Sequence, residues 1–390
     1  MQARVKRKTR IAVIFGGPSQ EHDVSVVSAS QLMDAADNRY CEVLPVYLDF
    51  ENRFYTSPGL REVETYRPKP PGLKPVKFGW GPAGPYYQIN DEPEQNRLDC
   101  VLPVLHGPFG EDGRIQGYFE TIGIPVTGFS AINSAIAMRK DATKALVKSE
   151  GVNVLPHVSV NRGRQVTSGE YIRRVETEIG YPAIIKPCHL GSSIGVGVAN
   201  NRPELESAIE HVLTLDTVAL VEPRVDNLVE YNVALIHQNN EIKLSAIESP
   251  KSVTDLLDFR EKYLSSEDGS GGAKGDFLPS QGMLSLTRDI NPALPDELQE
   301  KIYRYARDSF QILGARGAPR IDFLSNSKTG ELWFNEINPI PGSYGFFLWE
   351  AAEQPLLFPE LISHLAWEAL QTSLKFFDDP VPPEARLLPR

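Results

Sequence analysis

The chain has 390 residues, with 40 lysines and arginines against 51 aspartates and glutamates, a formal net charge of −11 at pH 7. At about 100–200 residues per domain that length makes two to four domains, and 41% hydrophobic with 23% charged residues is ordinary for a soluble globular protein. The acidity argues against nucleic acid as the main partner, because phosphate neutralisation needs a basic face, and no apolar run approaches the roughly 20 residues that span a bilayer.

A local basic pocket could still take an anionic small molecule. Cys41, Cys100 and Cys188 lie far apart, with no CxxC or Cys/His cluster, which argues against a zinc site or a disulfide framework and for a reducing compartment. Five positive charges (Arg4, Lys6, Arg7, Lys8, Arg10) precede Ile11–Phe15 and then Gly16-Gly17. That apolar stretch is too short for a signal-peptide core, so the expected location is cytoplasmic.

Ile11–Phe15 reads as a buried strand, Glu21 to about Ala36 as a helix, and Val43–Leu48 as a second strand. This is the β-loop-α-β opening of a parallel α/β domain. Residues 51–97, with Pro68-Lys69-Pro70-Pro71-Gly72 and scattered aromatics, read as irregular excursions and hairpins that carry no chemistry. Asp99–Leu105 is a third strand, Ile115–Thr121 a helix and Pro125–Thr127 a short strand. Ser130–Glu150 reads as one long helix with Lys140, Lys144 and Lys148 along one face. Ala183–Lys186 and Val196–Ala199 flank Gly191-Ser192-Ser193-Ile194-Gly195, a hairpin around a glycine-rich tip. Residues 265–282, rich in Ser and Gly, read as a mobile loop.

The most informative segment is Ala318–Ser343. Arg320 and Asp322 share one face of a strand, and Glu336 and Asn338 share one face of the next. A hairpin centred near Thr329 sets Asp322 opposite Glu336 and Arg320 opposite Asn338. Three oxygen donors without His or Cys suit Mg²⁺; a solvated sheet face with a routine Arg–carboxylate pair is the plain alternative. The tip at 188–195 could close over phosphates with Lys186 beside it, or be only a tight hairpin, since neither GxxxxGK[ST] nor GxGxxG before a helix fits. Gly16-Gly17-Pro18-Ser19 ahead of a helix could hold an anion or merely turn the chain.

Six ordered motifs then make a signature. They are Gly16-Gly17-Pro18-Ser19-Gln20-Glu21-His22-Asp23-Val24-Ser25; His106-Gly107 through Gly110-Glu111-Asp112-Gly113 with Gln116-Gly117; and Met138-Arg139-Lys140 with Lys144. Lys186-Pro187 with Gly191–Gly195, Asp258-Phe259-Arg260-Glu261-Lys262-Tyr263, and Arg320-Ile321-Asp322 with Glu336-Ile337-Asn338 complete the set. The sequence resembles the D-alanine–D-alanine ligase family of ATP-grasp enzymes over nearly its whole length, apart from the 51–97 excursion. The resemblance implies a three-domain α/β ATP-grasp fold. Its parts would be an N-terminal parallel α/β domain (1–128), a central lid domain (129–222) and a C-terminal domain (223–390) with an ω-loop at 255–282, the last two α+β and clamping ATP.

The resemblance also implies roles. Lys144 and Lys186 would bind ATP phosphates beneath the tip that carries Ser193, with Lys262 reaching the γ-phosphate. Glu222 and Val225 would lie at the adenine hinge, and Glu230 at the ribose. Asp322, Glu336 and Asn338 would hold two Mg²⁺ ions, for which Mn²⁺ could substitute. Glu21, Ser192 and Tyr263 match the family's hydrogen-bonded triad, which orients the first amino acid and closes the ω-loop, and His106 would lie beside that substrate. Arg320 and the Gly342 N–H would hold the oxyanion of the tetrahedral intermediate. The partners implied are small molecules, an amine and a carboxylate or related oxygen, in a homodimer away from nucleic acid and membrane.

The chain departs from the family's usual Pro-Gly-Met-Thr and following Ser-Leu. It reads Pro341-Gly342-Ser343-Tyr344-Gly345-Phe346-Phe347-Leu348, with Phe347 where that serine helps to bind the second substrate's carboxylate. Leu257 replaces a tyrosine common in the ω-loop. Ser343, Phe347 and Leu348 are thus expected to border an altered acceptor site. The expectation is an ADP-forming ligase, slightly favouring amino-acid ligation in a specialised natural-product pathway over cell-wall D-Ala–D-Ala ligation. Further alternatives are a mycosporine-type imine-forming ligase and a silent nucleotide-binding paralogue, the latter opposed by the intact Asp322/Glu336/Asn338 set.

Overall fold

The computed structural model describes residues 7–66, 70–90, 92–163, 169–251 and 288–372. Three sheets organise them. The first runs β1 (Thr9–Gly16), β2 (Cys41–Leu48), β3 (Phe54–Thr56), β4 (Lys74–Gly81), β5 (Gly84–Ile89), β6 (Asn96–Arg97) and β7 (Cys100–Val104), in the order β6-β5-β4-β3-β2-β1-β7. β1 pairs parallel with both β2 and β7, and helix α1 (His22–Ala35) makes the crossover, as the hydrophobic run and the helix after it predict. Residues 51–97 do more than wander: β3 to β6 extend the sheet antiparallel, and Leu60, Val63 and Tyr66 join the core under α1. The proline-rich sequence hid this because its apolar residues follow no regular period.

After α2 (Arg114–Thr121), residues 130–150 form two helices, α3 (Ala131–Met138) and α4 (Lys140–Ser149), where one was expected. The break is at Arg139, whose backbone is extended (φ −94°, ψ 97°). Its cost in backbone hydrogen bonds is offset locally. The Thr143 hydroxyl donates to the Ile136 carbonyl at 2.6 Å, and the Lys140 N–H reaches the Cys188 carbonyl at 3.2 Å. Apolar periodicity runs through the break, so nothing in the pattern marks it. Residues 125–127 supply only an isolated bridge, Val126 to Val101.

The second sheet is antiparallel, β10-β9-β11-β8, from β8 (Val158–Asn161), β9 (Ala183–Pro187), β10 (Gly197–Ala199) and β11 (Val218–Pro223). Gly197 pairs with Ile185, which makes 188–196 the tip of a hairpin. Helices α5 (Glu170–Glu178) and α6 (Arg202–Leu215) cover one face with Val175, Leu205, Ile209 and Val212.

The third sheet, β14-β13-β12-β15-β16, comprises β12 (Leu228–Gln238), β13 (Glu241–Pro250), β14 (Arg288–Ile290), β15 (Arg320–Asn326) and β16 (Leu332–Asn338). Its strands alternate faces. Tyr231, Val233, Leu235, Ile321 and Phe323 bury against α3, α4 and α7 (Asp296–Ile312), which leaves Glu230, Asn232, Arg320 and Asp322 on the opposite face. Beyond a turn at Gly342–Gly345 come α8 (Phe346–Glu350) and α9 (Phe358–Gln371). Leu361, Ile362, Leu365 and Ala369 of α9 return to the core of the first sheet, beside Ile11, Val13 and Leu102. Burying each of the leucines and the isoleucine is worth about 1.5–3 kcal/mol, so α9 ties the first and third sheets together. Among the described residues, no helix is long and apolar enough to cross a membrane.

Candidate active site

At the site the β15–β16 pairing is the one read from the sequence, Asp322 opposite Glu336 and Arg320 opposite Asn338, although a bulge after Asp322 shifts the register by one residue nearer the turn, where Phe323 faces Phe334. Arg320 grips Asp322 with two parallel bonds of 2.7 Å, and Asn338 Nδ2 donates to the same carboxylate at 2.9 Å. The cation beside Glu336 is Lys140, 3.1 Å away, whose Nζ also donates to the Leu190 carbonyl at 2.6 Å. The break before α4 therefore aims a nearly buried ammonium at the sheet face and fastens it to the glycine-rich tip. The motif Met138-Arg139-Lys140 contained this residue, yet the sequence assigned it no role.

Lys144 and Lys186 come from α4 and β9 and converge on Glu222 of β11. Lys144 Nζ lies 2.7 Å from Oε1, and Lys186 Nζ lies 2.6 Å from Oε2. The Lys144 contact is ionic, since Oε1 receives no aligned hydrogen bond and Lys144 donates instead to the Phe334 carbonyl at 3.2 Å. Lys186 donates to Asn335 Oδ1 at 2.9 Å, so both lysines reach β16, the strand of Glu336 and Asn338. Burial alone would raise the Glu222 pKa, but the two ammonium groups outweigh it and hold it at about 2. Burial, with Lys186 adding to it, pulls Lys144 down to about 8. The carboxylate expected at the adenine hinge is thus the counter-ion of both lysines expected at the phosphates. Val225 lies in the link from β11 to β12, and half-buried Glu230 on β12, opposite Leu324.

The tip bends through left-handed backbone at Ser192 (φ 52°) and Ser193 (φ 57°), which turns the Ser192 hydroxyl onto Glu21 Oε1. Glu21 precedes α1, so this contact joins the first sheet's domain to the second sheet. Gly107 is necessary beside it, because a Cβ there would stand 2.6 Å from Glu21 Oε2. The Gly16 and Gly17 amides are already engaged, with Ser25 Oγ at 2.7 Å and the Leu48 carbonyl at 2.8 Å, so that loop serves as a turn.

His106 is buried. Its Nδ1 lies 2.8 Å from the Ile340 carbonyl and its Nε2 3.2 Å from Ser28 Oγ. Burial lowers its pKa, a trend that Glu21 partly opposes. Glu111, from the Gly110-Glu111-Asp112-Gly113 motif, accepts from the N–H groups of Gly107 at 2.8 Å and Ile340 at 3.1 Å. Burial, then Glu21, pushes its pKa up to about 8. Glu111, Lys140, Gly191, Glu336 and Asn338 line a common cavity.

Past Gly342, Ser343 is buried, and its N–H and hydroxyl both meet α1, at Ser28 (3.2 Å) and Gln31 (2.5 Å). Phe347 stacks with Arg288, whose guanidinium carbon lies 4.8 Å from the ring centroid, and Leu348 is fully buried in the core. Both contribute packing between α8 and the third sheet. Lys262, Tyr263, Leu257 and the loops expected at 255–282 and 265–282 lie outside the described residues.

Among the described residues, no group of three or more His, Cys, Asp or Glu side chains is placed to hold a metal ion. Two carboxylates and the amide oxygen of Asn338 nevertheless suit Mg²⁺, which is typically held by one or two carboxylates with phosphate and water oxygens making up the octahedron. The donor set fits the ion.

Residues 10–129 match the family described as D-ala D-ala ligase N-terminus, and residues 146–366 match D-ala D-ala ligase C-terminus. The chain belongs to the D-alanine–D-alanine ligase family. It is an ATP-grasp, ADP-forming carbon–nitrogen ligase. The D-alanine–D-alanine ligase of Thermosipho melanesiensis is 32% identical over 91% of this chain and 92% of its own length. That of Chlorobium phaeovibrioides is also 32% identical, over 94% and 98%. Among solved structures, the VanG D-Ala:D-Ser ligase of Enterococcus faecalis is similar with a TM-score of 0.74 at 26% identity, covering 93% of this chain and 100% of the other.

Proposed function

We propose that the protein joins two molecules of D-alanine, using ATP, and so acts as a genuine D-alanine–D-alanine ligase. The relatives bear that name across nine-tenths of the chain, which supports this alternative over the specialised pathway. The observation that carries the reading is the meeting of Lys144 and Lys186 with β16, the strand that supplies Glu336 and Asn338 beside Asp322.

Lys144 and Lys186 hold the phosphates of ATP beneath Ser193. The Glu222–Val225 stretch receives the base, and Glu230 the ribose. Asp322, Glu336 and Asn338 would hold Mg²⁺, which when bound would help to spread the charge of the transferring phosphoryl group. Glu21, Ser192 and His106 orient the first D-alanine, whose carboxylate takes the γ-phosphoryl and becomes an acyl phosphate, since hydroxide is not a usable leaving group. The second D-alanine attacks the acyl carbon as its free amine, having lost one proton to solvent, and gives up a second proton as the amide forms. Arg320 and the Gly342 N–H stabilise the oxyanion, and phosphate leaves. Ser343, Phe347 and Leu348 shape the acceptor side by packing. Two metal ions, Mn²⁺ as a substitute, a homodimer and a cytoplasmic location rest on the family resemblance and on the composition.

Purified protein with ATP, Mg²⁺ and D-alanine alone should release ADP and yield a dipeptide visible by mass spectrometry. Turnover with another amine–acid pair but none with D-alanine would overturn the reading in favour of a specialised ligase.

A further inference from the structure

Three consecutive residues after Gly342 are left-handed: Ser343 (φ 46°, ψ 32°), Tyr344 (φ 55°, ψ 22°) and Gly345 (φ 60°, ψ 32°). Two of them carry side chains, for which this backbone is unfavourable, so the surroundings must impose it. The Tyr344 hydroxyl donates to the Pro103 carbonyl at 2.6 Å and anchors the turn to β7. The other anchor is α1. Ser28 and Gln31 are three residues apart and therefore neighbours on one helical face. Ser28 Oγ accepts the Ser343 N–H at 3.2 Å, and Gln31 Oε1 accepts the Ser343 hydroxyl at 2.5 Å.

With the imidazole neutral, the form that burial favours, proton placement closes this network in one way. The Ile340 carbonyl can only accept, so His106 Nδ1 donates to it and Nε2 must accept. The Ser28 hydroxyl donates to that Nε2, and its oxygen stays available to the Ser343 N–H. Ser28 and Gln31 thus connect the first-substrate residue His106 with the turn that opens at Gly342.

We propose that Gln31 and Ser28 are positioning residues for amide formation, holding the Gly342–Gly345 turn so that the Gly342 N–H is preset for the oxyanion. The inference rests on the ligase reading above. It extends that reading to a helix that contributes no group to the reacting atoms. Phosphoryl transfer to the first carboxylate does not use the Gly342 N–H, whereas amine attack does. A turn released by an ångström should slow attack by roughly ten- to a hundredfold and leave phosphoryl transfer intact.

The test compares Gln31→Ala, Ser343→Ala and Gln31→Glu in the full-length protein. Dipeptide formation is measured alongside exchange of ¹⁸O between the β,γ-bridging and β-nonbridging positions of ATP, which reports reversible acyl phosphate formation. In Gln31→Ala and Ser343→Ala the dipeptide kcat should fall about ten- to a hundredfold, with the ATP KM unchanged and the ratio of exchange to product increased. The double variant should be no worse than either single one. Gln31→Glu keeps an acceptor for Ser343 and should stay within about twofold of the parent. Wild-type rates in both alanine variants, or equal losses of exchange and product, would overturn the proposal. If the parent makes no D-alanyl-D-alanine, the substrate reading fails first, and the same ratio is then measured with the amine–acid pair that the parent does use.

Discussion

The Nζ of Lys144 lies 2.7 Å from Oε1 of Glu222, in a pair from which solvent is almost wholly excluded. Lys186 holds the other carboxylate oxygen, so one anion is shared by two cations and the trio keeps a net positive charge at the place proposed for the phosphates of ATP. Glu222→Gln should destabilise the protein by about 3–5 kcal/mol in urea unfolding, because it leaves buried ammonium groups without a counter-ion. Saturating ATP should raise the melting temperature of this variant more than that of the parent, its phosphates supplying the missing charge. An equal ATP shift in both proteins would remove Lys144 and Lys186 from the phosphate site. The pH dependence has two signs. With its pKa held at about 2 against an ordinary 4.5, Glu222 adds stability above pH 4.5 that disappears as pH falls toward 2. Lys144, pulled from 10.5 to about 8, opposes folding at neutral pH, and that opposition fades as pH rises from 8 to 10.5.

Asp322, proposed as a metal ligand, also holds its neighbours in place. It is buried, and it receives both arms of Arg320 and the amide of Asn338. Asp322→Asn should lower kcat by about a hundredfold or more, as loss of several kcal/mol of charge stabilisation requires. It should also cost about 1–3 kcal/mol of stability, because Arg320 keeps only a neutral acceptor. Titrating ADP release with Mg²⁺ and unfolding both proteins in urea measures the two effects. Full activity at ordinary Mg²⁺ would refute the metal assignment.

The Asp322–Glu336 pairing was legible because Arg320 and Asp322, and Glu336 and Asn338, each share a strand face by alternation, but the bulge after Asp322 that shifts the register nearer the turn was not. Nor was the partnership of Lys140 with Glu336. It depends on a helix break at Arg139 that is stabilised by Thr143 and by a carbonyl from β9's end, contacts that no periodicity encodes. Glu222 shows the same limit, since its neighbours come from α4 and β9, more than thirty residues away in sequence. The ligase chemistry was legible from motifs. The slight preference for a specialised acceptor rested on Phe347 standing where the family has a serine; the relatives favour the D-alanine alternative, and the ring packs against Arg288 and Phe346.

Glu111 gives a pH signature of its own. Its carboxyl keeps its proton up to about pH 8, against 4.5 ordinarily, so the folded chain binds more protons than the unfolded chain between these values. Its contribution to stability therefore falls as pH rises from 4.5 to 8. Glu111→Gln should be less stable at pH 5, since one amide oxygen must serve the N–H groups of both Gly107 and Ile340. Its stability should nevertheless change less between pH 5 and 8 than that of the parent. Urea midpoints at pH 5, 6.5 and 8 measure this; parallel curves for the two proteins would mean that Glu111 is ionised throughout.

Ser192 joins the glycine-rich tip to Glu21 across two domains, and the left-handed backbone at Ser192 and Ser193 aims the hydroxyl there. The hydrogen bond has a carboxylate acceptor, a class worth about 1.5–3 kcal/mol. Ser192→Ala removes it and, on the proposed reading, leaves Glu21 less well placed to orient the first D-alanine. The expected result is a fall in kcat/KM for the first D-alanine of roughly 10- to 150-fold, at 1.36 kcal/mol per decade. The KM for ATP should change far less, because Lys144 and Lys186 stand on α4 and β9 and keep Glu222 between them. Ser192→Thr retains the hydroxyl but adds a β-branch at a position with φ 52°, which a branched side chain adopts poorly. It should therefore rescue only part of the activity. Unchanged first-substrate kinetics in Ser192→Ala would mean that the Ser192–Glu21 contact closes the tip without ordering the amino acid.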